Sequence, residues 1–513
     1  MISKVYTAAL MGIDAYTVEV ETHIEGNVPF FGIVGLPDNA VRESRERVVA
    51  AGKNSGYNFK HQRRITINLA PADIKKEGSS YDLPIAIGIL AAQGDIDQQA
   101  LEDFYIMGEL ALDGSLRAVH GSLSIAIKAR QEGVKGLILP LENAAEAAMG
   151  GKGLEIYPMS HLTDVVNFLN GNADFEPFAV DIEDIFRKEQ QSIFDFQDVK
   201  GQEHVKRSLE VAAAGGHNLI MVGPPGSGKT MLAKRFSTIL PLMSLEEAIE
   251  TTKIHSVAGL LPSNHGLVAA RPFRSPHHTI SDAALVGGGK YPRPGEVSLS
   301  HHGVLFLDEL PEFKKNVLEV MRQPMEDAKV TISRAAFSLT YPANFMLLAA
   351  MNPCPCGYYS DPGRSCSCSL QQIQKYRARI SGPLLDRIDI HVEVPAVNFK
   401  EPDSERSGDN SQTIRRRVQQ ARRIQLERYG KEKSIFCNAD MQSRQIRKYC
   451  KLEDDSRELL KTALNKLGLS ARAYDRILKV SRTIADLAGK ENILPEHISE
   501  AIQYRSLDRD LWV

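Results

Sequence analysis

The chain has 513 residues, 43% hydrophobic and 25% charged, with a formal net charge of −2 and an isoelectric point near 6.7. This is globular composition on the scale of about three domains. The near-zero charge excludes a wholly basic nucleic-acid binder, so any such contact needs local patches. The N-terminal stretch MISKVYTAALMGIDAYTVEVETHIEG lacks the apolar centre of a secretion signal. No run approaches the ~20 apolar residues that cross a bilayer, and the chain reads as cytoplasmic.

Residues 1–175 alternate strand-like and helix-like segments. Tyr16–Gly26 places Val18, Val20, Thr22 and Ile24 at alternate positions, the pattern of a half-buried strand. RRITINLAPA reads as a second strand and GLILP as a short buried one. DLPIAIGILAAQ and SLSIAIKARQEG read as helices, the latter closed by Gly133. Residues 176–195 have no period and read as a linker. A second α/β unit follows over 196–400, then a polar loop at 401–412 with Pro402 and Gly408. Residues 413–513 have a helical pattern throughout. The expected fold class is therefore α/β with a C-terminal helical lid.

HNLIMVGPPGSGKTMLAKRFS carries the strongest chemical signal. The apolar run Leu219–Val222 predicts a buried strand, and a helix follows the loop. Between them Gly223, Pro224, Pro225, Gly226, Ser227, Gly228, Lys229 and Thr230 satisfy GxxxxGK[ST] without substitution. The glycines let backbone N–H groups wrap phosphates, and the helix N-terminus adds positive potential. Lys229 would reach the β- and γ-phosphates of ATP, and Thr230 would bind Mg²⁺.

A phosphate loop of this kind needs an acidic partner, and GVLFLDELPEF supplies one. Val304–Leu307 predicts a strand ending at Asp308, which would hold Mg²⁺ through water, and Glu309, which would polarise the attacking water. FMLLAAMNP predicts another buried strand, ending at Asn352, within reach of the γ-phosphate or the water. ISGPLLDRIDIHVEVP places Arg387 before a further strand. In ring ATPases such an arginine stabilises charge on a neighbour's transferred phosphoryl group; the plainer alternative is a salt bridge with Asp386 or Asp389.

Four of the six cysteines follow Asn352 directly: Cys354, Cys356, Cys366 and Cys368. Two C-x-C pairs nine residues apart offer four thiolates, enough for a closed structural Zn²⁺ site. Unliganded thiols or a redox pair are the alternatives. Pro353, Pro355, Gly357, Pro362 and Gly363 make the stretch a loop able to fold back on itself. Cys437 and Cys450 read as buried residues.

The order of phosphate loop, acidic strand, Asn352 and Arg387 resembles an AAA+ ATPase. The stretch from Arg271 to Phe313, RPFRSPHHTISDAALVGGGKYPRPGEVSLSHHGVLFLDELPEF, resembles the magnesium-chelatase-like branch, as does LSARAYDRILKVSRTIADLAG. In the latter, Arg472 matches the arginine that touches the γ-phosphate from the lid. With its N-terminal domain, the chain from about residue 1 to 510 resembles the YifB/ComM family, in which a Lon-protease-like domain precedes the AAA+ module. The resemblance implies a hexamer that hydrolyses ATP and drives branch migration of DNA during natural transformation. An ATPase remodelling a protein or metal-insertion partner is the alternative. Magnesium chelatase's ATPase subunit is expected to lack the Lon-like domain, and no DxSxS metal-binding motif of its partner subunit occurs here; both turn the reading toward DNA.

KKEGSSYDLPIAIG resembles the Lon segment around the nucleophilic serine, at Ser80. Where Lon supplies a lysine this chain has Ser122-Leu123-Ser124, and Lys128 is one turn too far. The dyad reads as broken and the domain as non-catalytic, with Lys75 or Lys76 the remaining candidate bases. DNA phosphates would meet basic residues of two inserts. One holds Arg271, Arg274, His277, His278, Lys290 and Arg293; the other is a hairpin, KVTISRAAFSLTYPA, around Arg334. The basic run TIRRRVQQARRIQLERYGKEK recurs in Ile414, Val418 and Ala421 at helical spacing, so it reads as a packed helix. His301 and His302 read as loop or interface residues.

Overall fold

A computed structural model describes the chain except residues 1, 27, 60–62, 189–192, 262–265, 290–291, 335–336, 360, 362, 397–407, 431–434, 468–470, 506 and 508–513. It divides into two compact units. The first comprises Met1–Lys188 together with Leu245–Ala269; the second comprises Glu189–Ser244 and Ala270–Val513.

The first unit is built on a seven-stranded mixed sheet, in the spatial order Phe30–Val34, Arg64–Ala70, Asp14–Glu25, Ile2–Met11, Phe104–Ile106, Gly136–Pro140, Glu155–Met159. Ile2–Met11 and Asp14–Glu25 form a ten-pair antiparallel ladder. Alternation sends Val5 and Ala9 to one core and Ala8, with Tyr6 and Leu10, to another, so both faces of the sheet are covered. The helix Asp82–Gln93 is buried from Asp82 through Ala92, which explains why its sequence is apolar on every side. Asp82 itself is fully buried and takes Arg47 Nε at 2.6 Å and Arg47 Nη2 at 2.9 Å. Burial pushes its carboxyl up, against the opposing pull of Arg47 and Ser44. Within the expected linker, Ile182–Lys188 is a helix.

Leu245–Ala269 belongs to this unit rather than to the ATPase core in which the sequence reading placed it. The reason is a buried polar seam. Glu146 Oε1 accepts Ser256 Oγ at 2.5 Å and Leu123 N–H at 2.8 Å, and Ser256 Oγ accepts Gly121 N–H at 2.8 Å.

The second unit holds a five-stranded parallel sheet in the order Phe273–Arg274, Val304–Leu307, Met346–Met351, Leu219–Val222, Ile390–Glu393. Val304–Leu307 and Leu219–Val222 are buried at every position, as parallel strands covered on both faces must be. The helices Ser411–Tyr429, Ser443–Tyr449, Asp454–Leu467, Ala471–Leu487 and Pro495–Gln503 complete the unit. Ile414, Val418 and Ala421 are buried on the first of them. Two of its arginines are used internally: Arg417 on Glu210 and Asp409, Arg428 on Asp486. No helix among the described residues is long and apolar enough to cross a membrane.

Candidate nucleotide site

The strand Leu219–Val222 lies between Met346–Met351 and Ile390–Glu393, so the loop that follows it opens at the C-terminal edge of the sheet, where α/β proteins bind ligands. Gly223 N–H donates to Met351 O at 3.2 Å. Gly226 and Gly228 sit at φ +77° and +87°, a region where a side chain is strained. The helix Lys229–Phe236 starts there. Lys229 Nζ donates to Gly223 O at 2.7 Å, Pro224 O at 2.8 Å and Asn352 Oδ1 at 3.3 Å. Burial lowers the Lys229 pKa, opposed by the charges of Asp308 and Glu309.

Thr230 Oγ1 donates to Asp308 Oδ2 at 2.7 Å across 78 residues of sequence. A hydroxyl and a carboxylate this close together form a donor set suited to a hard cation such as Mg²⁺. Glu309 follows at φ +53°, a left-handed conformation uncommon for any residue but glycine. Its Oε2 is 3.4 Å from His278 Nδ1. His278 stacks on His277 at 4.1 Å between ring centroids. The sequence reading counted both histidines among basic residues for DNA and missed this contact; nothing in the motif RSPHH signals a partner some thirty residues away.

The arginines are placed differently from one another. Arg387 is buried and pairs with Glu326 and, through Nη1, with Pro383 O, while its Nε has no partner among the described residues. The alternative salt bridge with Asp386 or Asp389 is not formed; Asp389 is taken instead by His217 and Arg476. Arg472 is exposed and stands 3.8 Å from Asp386. Arg271 donates to Pro241 O and His302 O, each at 2.7 Å, and Arg274 forks onto Glu296 at 2.6 and 2.8 Å. These contacts hold the guanidinium groups of Arg271 and Arg274 on partners within the fold. Lys290 lies outside the described residues. Arg334 ends the strand Lys329–Arg334, which pairs antiparallel with Phe337–Pro342 as the expected hairpin. His301 Nδ1 accepts Asn344 N–H at 3.0 Å, a loop contact.

The four cysteines of the loop converge. All four Sγ atoms lie within 4.8 Å of one another. Cys354 to Cys356 is 3.3 Å, Cys356 to Cys366 is 3.5 Å and Cys354 to Cys366 is 3.7 Å. A tetrahedral site with Zn–S near 2.3 Å has edges of about 3.8 Å, so the donor set fits that ion. Backbone N–H groups of Tyr358 and Ser367 pull the Cys356 thiol down to about 5, while desolvation and the neighbouring thiols push Cys366 up to about 12. Cys437 and Cys450 are buried elsewhere, and burial pushes each thiol up to about 12.

In the first unit no lysine is hydrogen-bonded to the Ser80 hydroxyl among the described residues. Lys128 pairs with Glu132 at 2.5 Å and Lys75 with Glu77 at 2.7 Å. Lys76 is buried and gives Nζ to Ile74 O at 2.8 Å and to Pro71 O. Ser124 Oγ donates to Ile13 O at 2.6 Å.

Three family models match the chain. One described as magnesium chelatase, subunit ChlI, covers residues 195–402; one described as subunit ChlI of Mg-chelatase covers 20–143; the ChlI C-terminal model covers 408–505. The chain is 47% identical over 510 residues to the competence protein ComM of Haemophilus influenzae, spanning 98% of this chain and 97% of that protein. It is 45% identical to the YifB protein of Escherichia coli over 99% and 98% of the two chains. The 38 kDa magnesium-chelatase subunit of Rhodobacter capsulatus is 23% identical over 31% of this chain and 51% of its own length.

Proposed function

Because the chain belongs to the YifB/ComM family of magnesium-chelatase-like AAA+ proteins, for which ATP hydrolysis with Mg²⁺ is implied, we propose that it is a DNA-remodelling motor. It works as a cytoplasmic homo-oligomer, a hexamer, that drives branch migration of recombination intermediates during natural transformation. The observation that carries the motor reading is the meeting of Lys229, Thr230, Asp308, Glu309 and Asn352 at one edge of the parallel sheet. The full-length likeness to a protein named for competence supports the DNA substrate.

In this reading the loop Gly223–Thr230 cradles the phosphates with backbone N–H groups, and Lys229 turns from its own loop carbonyls to the β- and γ-oxygens. Thr230 and Asp308 would hold Mg²⁺, which screens charge on the phosphates when bound. Glu309 accepts a proton from the attacking water, and Asn352 orients it. Arg387 of a neighbouring copy and Arg472 of the same copy stabilise the charge that develops on the γ-phosphoryl oxygens. Cys354, Cys356, Cys366 and Cys368 hold a structural Zn²⁺. The first unit, in which no lysine among the described residues is hydrogen-bonded to Ser80, acts as a scaffold. Basic residues of the hairpin around Arg334 contact DNA phosphates without sequence preference.

The chelatase descriptions of all three matching models favour a second reading, an ATPase that remodels a protein or metal-insertion partner. Strand exchange on a four-way junction separates the two, run with and without ATP beside Lys229→Ala. ATP-dependent exchange lost in Lys229→Ala supports the DNA motor. Hydrolysis untouched by DNA, with no exchange, supports the second reading.

A further inference from the structure

The segment that carries the first two cysteines also touches the phosphate loop at three points. Met351 O accepts Gly223 N–H at 3.2 Å, and Asn352 Oδ1 accepts Lys229 Nζ at 3.3 Å. Gly357, at φ +87°, lies so close to Pro225 that a Cβ there would stand 2.4 Å from the ring Cδ. Cys354 and Cys356 lie between the second contact and the third. Gly357 N–H points at both Cys354 O, at 3.0 Å, and Cys354 Sγ, at 3.2 Å. Arg377 Nε clamps Pro353 O from outside at 3.1 Å. Whatever holds Cys354 and Cys356 in place therefore also holds the backbone that presses on the loop.

We propose that the four-cysteine site braces the phosphate loop: a soft divalent ion on the four thiolates and a nucleotide on the loop stabilise each other through Gly357 packed on Pro225. The proposal rests on the zinc reading above. The metal cross-links Cys354 to Cys368 and so removes the freedom of a Pro- and Gly-rich loop that has little core of its own. With that freedom removed, Gly357 stays against Pro225 and the phosphate loop keeps its open curve. Coupling between two sites is reciprocal in equilibrium terms. Nucleotide on the loop must then favour the metal-bound state, and the effect can be read at the metal instead of through hydrolysis.

The experiment uses the purified full chain. Zinc content is measured, and zinc transfer to excess chelating dye is timed with and without a saturating non-hydrolysable ATP analogue and Mg²⁺. The expected result is bound zinc whose release slows with nucleotide, by the full coupling of about 5- to 100-fold where zinc uptake is unchanged. Lys229→Ala at the same nucleotide concentration shows no slowing. Pro225→Ala retains zinc while the slowing shrinks toward none. Equal release rates with and without nucleotide in the zinc-loaded wild type overturn the brace and leave the metal site standing. Undiminished slowing in Pro225→Ala, or slowing in Lys229→Ala, also overturns it. Protein purified without zinc, with all four thiols alkylated in the native state, removes the metal reading and the brace together. The wild-type ratio decides the matter even where Pro225→Ala does not fold.

Discussion

His278 Nδ1 stands 3.4 Å from Glu309 Oε2, and the loop bearing His278 joins the strand Phe273–Arg274 to the short helix Asp282–Val286. The residue read as the water-polarising carboxylate is thus held by a side chain from a different strand connection. A carboxylate paired with an imidazole is less free to turn toward water. His278→Ala is expected to alter kcat for ATP hydrolysis by several-fold, roughly the 1 kcal/mol scale of one such pair, with KM for ATP little changed. Glu309→Gln abolishes turnover, a loss of roughly 10²- to 10⁴-fold, and retains ATP binding. Steady-state kinetics beside nucleotide titration checks both; normal turnover in Glu309→Gln would refute the role given to it.

Arg387 is paired with Glu326 inside its own subunit. Service to a neighbour's nucleotide requires that pair to open. Arg387→Ala is expected to lower kcat by about 10³-fold or more, the scale of an arginine acting on a transferred phosphoryl group. Mixing Arg387→Ala with Lys229→Ala subunits should restore part of the activity, since each then lacks a different half of a shared site. No recovery on mixing, with both variants folded, argues that Arg387 acts only within its own chain.

The hairpin Lys329–Pro342 buries Val330, Ile332 and Tyr341 and exposes Thr331 and Ser333. Arg334→Ala should leave its fold intact. DNA affinity is expected to weaken alike for unrelated sequences, and the log–log salt slope to fall by about 0.7 for one phosphate contact on a single strand. Binding isotherms at several salt concentrations measure this, and an unchanged slope excludes the residue from the contact.

Glu146 is a stability group. Burial pushes its carboxyl up, against hydrogen bonds from Ser256 and Leu123. The folded state therefore holds a proton where the unfolded chain, near 4.3, has released it. The stabilising effect of that protonation is full below the unfolded value and is lost as pH rises through the raised folded value. Glu146→Gln should flatten this stretch of the stability–pH curve, because both hydrogen bonds fall on one oxygen that the amide keeps. Glu146→Ala leaves Leu123 N–H unpaired and costs about 1–3 kcal/mol. Denaturant midpoints at a series of pH values distinguish the three proteins.

Among the described residues no lysine is hydrogen-bonded to the Ser80 hydroxyl, and Ser124 Oγ is taken up by Ile13 O. Peptidase assays should find no activity that Ser80→Ala removes. ATP hydrolysis should be the same in Ser80→Ala as in the wild type.

Local pattern was enough for much of this molecule. The alternation Val18, Val20, Thr22, Ile24 became a strand with Val18, Val20, Thr22 and Ile24 on its buried side, and an unbroken apolar run became the buried helix Asp82–Gln93. The phosphate loop is legible because its chemistry is contiguous: glycines, Lys229 and Thr230 act through backbone geometry that neighbours in sequence determine. Partner choice is another matter. That Thr230 meets Asp308, that Glu309 meets His278 and that Gly357 presses on Pro225 are decided by strand order in the parallel sheet. Charge alone likewise does not show which partner an arginine takes within the fold. Arg271 and Arg274 look basic in sequence, yet carbonyls and Glu296 satisfy them once the chain closes around them. The physical reason is range: periodicity and turn chemistry act over a few residues, whereas the desolvation and pairing of a charge depend on groups that only the tertiary fold brings near.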